Sequence, residues 1–105
     1  MDFSVLAVVS SVVFCEACGW YDDILSEKGI KKGVAVEAFT WLIGQKPSLL
    51  AYVLRDNLML AMVSVAPIAA CVLHQKALAI GLSIGPVVYG VKHIMGGLSW
   101  KKLGV

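Results

Sequence analysis

The chain alternates long apolar runs with short polar connections. The first run, residues 3–21, carries one charge, Glu16. It ends in Trp20-Tyr21, an aromatic pair suited to the headgroup boundary, with Asp22-Asp23 expected in water beyond it. Roughly 20 mostly apolar residues suffice to cross a bilayer as a helix, and this run is about that long. Residues 22–33 are polar, with Gly29 and Gly33 as expected helix stops. A second span lies within 48–73, where 57–75 is free of charge; a third occupies 77–100, interrupted by Lys92 and His93 and closed by Lys101-Lys102. Only His74, Gln75 and Lys76 separate the last two, which predicts a tight helical hairpin.

The apolar segment 34–45 is too short to span. Val34, Ala38, Trp41 and Leu42 share one helical face, while Glu37 and Thr40 point elsewhere. The pattern predicts a short interfacial helix ended by Gly44 and Pro47, with a re-entrant segment as the alternative. The expected fold is therefore an all-α membrane protein: one membrane domain over 1–105, with three transmembrane helices and an interfacial helix between the first and second.

Composition agrees with that pattern. Of 105 residues, 59% are hydrophobic and 15% charged; a soluble domain has about 45–50% apolar and about 25% charged residues. This excludes an ordinary soluble domain, a disordered chain and a disulfide-stapled miniature. Placing the charges orients the spans. The first connection and the C-terminus hold Lys28, Lys31, Lys32, Lys46, Lys101 and Lys102, whereas the opposite side holds Lys76 and the terminal amine. The positive-inside rule then predicts N-terminus outside and C-terminus in the cytoplasm, in a bacterial inner membrane. The acidic start, Met1-Asp2-Phe3-Ser4, lacks the basic region of a signal peptide, so 3–21 is expected to remain as a span.

Ionisable residues within spans are expensive and are candidates for function. At 1.5 Å per residue, Glu16, Arg55 and Lys92 fall roughly 7–12 Å inside the predicted inner boundaries. The expectation is one polar layer of Glu16, Arg55, Asp56, Asn57, Lys92 and His93. It reads as a proton or ion site or a pore-facing surface; alternatively, Lys92 snorkels, Arg55-Asp56 sit at the headgroups, or the pairs merely lock helices in register. Helix packing is expected at small residues spaced by four: Gly81 and Gly85 in span three, Ala66 and Ala70 in span two, Ala7 and Ser11 in span one. Pro67 and Pro86 are expected to kink their helices.

No catalytic set is found. Cys15-Glu16-Ala17-Cys18 has the spacing of a redox pair or half a zinc site, but no further ligands lie at its depth, so the cysteines read as packing residues. His74 and His93 fall at different depths, which argues against haem. Asp22-Asp23 reads as a solvated boundary. No metal, cofactor or nucleic acid is expected; the partners are the bilayer and other copies of the chain or other membrane subunits.

Asp22 or Asp23, Gly29 or Gly33, Glu37 and Gly44-Gln45-Lys46-Pro47-Ser48 together resemble a pattern in small uncharacterised multi-pass membrane proteins of bacteria and phages. The short length, three spans, predicted N-out, C-in topology and Lys101-Lys102 near the end resemble the class I phage holins. That resemblance implies a lysis pore lined by Arg55, Asp56, Asn57 and Ser64. Three functions are thus expected in competition: a non-enzymatic helix-packing subunit of a homo-oligomer or a larger membrane or virion complex, a holin-like bacteriophage pore former, and a small proton- or ion-conducting subunit.

Overall fold

The structure, a computed structural model, describes residues 2–34, 44 and 47–105. It is all-helical, 85% helix with no strand among the described residues. Helix α1 spans Phe3–Lys31, α2 Leu49–Val72, α3 Lys76–Leu82 and α4 Ile84–Lys102. Three stretches are long and apolar enough to cross a membrane: α1, α2, and α3 with α4 taken together. The interfacial helix expected over 34–45 falls largely outside the described residues.

The first expected boundary needs correction. Helix α1 does not stop at Tyr21 but continues ten residues further, to Lys31. At 1.5 Å per residue it is about 43 Å long, more than the roughly 30 Å hydrocarbon core requires. It ends at Gly33, whose φ of +72° suits a residue without Cβ. Gly29, the other expected stop, lies inside the helix, where the Trp100 ring packs over it.

The helix ends are specified locally. Asp2 caps α1, accepting from the Ser4 amide at 2.8 Å and the Ser4 hydroxyl at 2.6 Å. Ser48 caps α2 through the Ala51 amide at 3.3 Å, and the Glu27 carboxylate reaches across from α1 to accept from the Leu49 amide. After α2, His74 takes a left-handed conformation, φ +58°. The His74 amide donates to the Cys71 carbonyl and the Gln75 amide to the Ala70 carbonyl, closing the tight hairpin predicted there. Helix α2 is continuous through Pro67. Pro86 has the larger effect. It has no N–H to give the Leu82 carbonyl, and the chain breaks between α3 and α4 at Ser83.

Helices α1 and α3–α4 run parallel in one register. Asp2 pairs with Lys76, Gly19 lies beside His93, Asp22 beside Gly96, and Ser26 accepts from Trp100. In each pair the partners are 74 residues apart, as the Ser26–Trp100 hydrogen bond records. Helix α2 packs against both in the opposite direction.

The bundle buries small and polar groups and exposes large apolar ones. Along α1 the buried positions include Ser4, Val8, Ser11, Cys15, Cys18, Ser26 and Gly29, in steps of three and four once half-buried Asp22 is counted between Cys18 and Ser26. Along α4 they are Pro86, Gly90, His93 and Gly97. Outward, Leu58, Met62 and Val65 of α2 are each 62–64% exposed, and Leu50, Leu54 and Val72 continue that face. A water-soluble bundle would reverse this distribution; a lipid-facing one has it.

Candidate functional site

The polar interior concentrates in one place. Asp22 and Asp23 come from α1, Arg55 and Asp56 from α2, and Tyr89 and His93 from α4. His93 Nδ1 lies 3.1 Å from Asp22 Oδ2 and 3.9 Å from Asp56 Oδ2. Arg55 Nε donates to Asp56 Oδ1 at 3.2 Å, and the Arg55 guanidinium lies 5.1 Å over the Tyr52 ring. The Tyr89 and His93 rings meet edge to face at 4.5 Å between centroids. Gly19 lies beside the imidazole, where a methyl group would stand at ordinary contact distance, 3.8 Å from Nε2.

Around the carboxylates the structure closes tightly. Asp23 is 1% exposed, Asp56 and His93 6% each. Asp23 Oδ1 and Asp56 Oδ2 are buried and accept no hydrogen bond among the described residues. Such an atom forgoes water without compensation, a cost of roughly 1–3 kcal/mol and more when charged. Asp22 is held from the side: Ser26 Oγ lies 3.5 Å from its Oδ1, and Trp100 Nε1 donates to that hydroxyl at 2.9 Å. Cys15, Glu16, Gly19, Trp20, Asp23, Asp56, Asn57, Leu60 and His93 line a narrow crevice beside the cluster. Counting turns, the cluster lies roughly 10–14 Å from the end of the bundle where α1 and α4 finish.

The expected polar layer is brought together in part. Glu16, Asp56, Asn57 and His93 border this one crevice, and Arg55 joins through Asp56. Lys92 does not join: it is exposed, with its ammonium 5.8 Å over the outer Tyr89 ring. Glu16 and Lys92 form no ion pair; Glu16 instead accepts from the Trp20 indole at 3.0 Å. Asn57 binds the Val53 carbonyl of its own helix.

Asp22 and Asp23 correct the reading of a solvated boundary. Their helix does not end at Tyr21, so α2 and α4 cover them, and Tyr21 itself lies across Gly97. A signal for this exists in the sequence. The steps of three and four through Ser4, Ser11, Cys15 and Cys18 continue without a break to Asp22, Ser26 and Gly29.

The expected packing residues divide similarly. Ala70 and Ser11 are buried, and Ala7 lines an apolar groove between α1 and the α3–α4 junction. Ala66 is exposed, and Gly81 has open space where a Cβ would stand. Gly85 meets the Val63 carbonyl only at ordinary contact distance. The closest helix contacts lie instead at Gly29, Gly90, Gly96 and Gly97. Cys15 and Cys18 are buried free thiols, and Cys71 is a half-buried one.

The chain matches no family, no curated protein and no solved structure.

Proposed function

We propose that this is a small non-enzymatic membrane subunit that handles protons or small cations through the Asp22–Asp23–Asp56–His93 cluster. One observation carries the reading: Asp22 and Asp56 converge on one imidazole and Asp56 on one guanidinium, and one oxygen each of buried Asp23 and Asp56 has no donor among the described residues. Locking helices together requires matched pairs, whereas surplus acceptors favour whatever cation reaches them. The crevice from Glu16 and Asn57 supplies a polar approach.

The N-out, C-in orientation and the interfacial helix over 34–45 belong to this proposal. Lys28, Lys31, Lys101 and Lys102 gather at the end where α1 and α4 finish, and Lys76 at the other, which supports placing the cluster in the cytoplasmic half of the bilayer. Purified protein in liposomes carrying an internal pH dye should dissipate an imposed proton or cation gradient faster than protein-free vesicles. His93→Gln and Asp23→Asn should each remove most of that flux. Wild-type vesicles no leakier than empty ones would overturn the reading.

A second reading, the helix-packing subunit, has its own support. Gly81 leaves an uncovered notch on α3, beside exposed Ile80 and Ile84. The mass of the detergent-solubilised particle tests it: a homo-oligomer that Gly81→Leu reduces to single chains supports it, and a wild-type monomer counts against it. The holin-like pore has less to draw on, because Asp56 and Ser64 are buried within the chain's own bundle, not free to face a shared lumen.

A further inference from the structure

We infer that Asp22, Asp56 and His93 form a site for one divalent transition-metal ion, one ligand from each spanning segment. The inference rests on the cation-handling reading and names the cation class. One carboxylate oxygen each of Asp22 and Asp56 and one ring nitrogen of His93 all lie within 4.8 Å of one another. With metal–ligand bonds of about 2.0–2.2 Å, neighbouring donors stand roughly 3.0–3.5 Å apart. The His93–Asp22 separation of 3.1 Å already fits, and the His93–Asp56 separation of 3.9 Å needs only a small side-chain closure.

Three further observations point to a cation at this spot. Asp56 Oδ2 faces His93 Nδ1 yet accepts no hydrogen bond among the described residues, in a residue 94% buried by its 6% exposure. The His93–Asp22 contact occupies the one proton at Nδ1, which a metal ion there would replace. The two carboxylate ligands, Asp22 and Asp56, match the charge of one divalent ion. Binding at Nδ1 leaves the imidazole proton on Nε2, where Gly19 presents no side chain against it. The crevice adjoining Asp56 and His93 has space at its centre for about one water, enough for an exchangeable further ligand.

The donors select the metal. One imidazole and two carboxylates suit zinc, manganese, cobalt or ferrous iron. Magnesium and calcium prefer all-oxygen shells, and copper(I) prefers sulfur.

The test uses the full chain, purified in detergent, stripped of metal and titrated with Co2+. Expected are one Co2+ per chain with a ligand-field absorption spectrum, displacement by Zn2+, and no competition from Mg2+. His93→Gln and Asp56→Asn should each weaken Co2+ binding by about 100-fold or more, since losing even an outer partner of a metal ligand costs 10–100-fold. His74→Asn, which removes the other, exposed histidine, should leave it unchanged. Absence of stoichiometric Co2+ from the wild type, retention by His93→Gln, or loss with His74→Asn would each overturn the site. Should the triad variants not fold, X-ray absorption of the zinc-loaded wild type decides: a nitrogen–oxygen shell with one imidazole supports the site, and a sulfur shell refutes it. Gradient dissipation without metal binding would remove the site and leave the proposed function standing. Stoichiometric metal without any gradient dissipation would do the reverse.

Discussion

At the residue scale, two polar side chains at the far end of the bundle act through opposite physical means. His74 adopts φ +58°, where a Cβ is crowded by the backbone at a cost of about 1 kcal/mol. Histidine is among the side chains better tolerated there; a β-branched one is not. His74→Gly should therefore raise stability in detergent by up to about 1 kcal/mol, and His74→Val should lower it by about 1–2 kcal/mol, read from thermal unfolding. Asp2 holds the neighbouring helix starts together. The Ser4 hydroxyl first, then the Lys76 ammonium 2.9 Å away, hold its carboxyl well below the usual carboxylate range. A depressed native pKa stabilises the fold above the unfolded value and loses that contribution as pH falls towards the native value. Asp2→Asn keeps the capping oxygen and removes the charge. The wild-type advantage over Asp2→Asn should thus be constant from neutral pH to about 5, then shrink below about 4, where an unfolded Asp takes up its proton. An advantage that grew on acidification would mean that the clip is not ionic.

At the scale of the helices, close approach is set by glycines on α4. A methyl group at Gly90 would come within 2.9 Å of the Phe14 ring and 3.1 Å of the Cys15 Cα, so the α1 backbone itself would have to yield. Gly90→Ala should cost about 1–3 kcal/mol through this overpacking. Gly81→Ala meets open space, and its better helix propensity should make it neutral or slightly stabilising. Equal effects in the two unfolding experiments would show that the α1–α4 register is wrong. The same contrast shows how far the sequence could be read. The three spans were legible because each apolar run is long, and the hairpin because only three residues separate the last two. Depth is legible too, since counting residues from the span ends brings Glu16, Asp56, Asn57 and His93 to one level. Direction was not. Gly81-x-x-x-Gly85 and Gly90 are equally small on paper, and only the neighbouring helix distinguishes a notch in use from an open one. Asp22 and Asp23 were misplaced for the same reason: hydropathy counts charges without knowing that α2 and α4 cover them.

For the whole molecule, the outward apolar faces and the inward polar stripe leave stability to packing and to the charge cluster, because lipid supplies no hydrophobic drive between helices. The cluster works against that stability. Asp23 and Asp56 each bury a carboxylate oxygen that accepts no hydrogen bond among the described residues, and such burial is destabilising. Removing an acid and removing the base should therefore have opposite signs. Asp23→Asn should stabilise the metal-free bundle by about 1–3 kcal/mol, the usual gain from relieving a buried unsatisfied group. Arg55→Gln should destabilise it by about 3–5 kcal/mol, since Asp56 would lose the charged donor 3.2 Å away. A gain in Asp23→Asn accompanied by loss of gradient dissipation is the trade-off expected where a strained group is kept for its activity. If both variants are instead destabilised alike, the cluster is a balanced structural lock, and the small-residue notch at Gly81 becomes the better place to look for what this protein does.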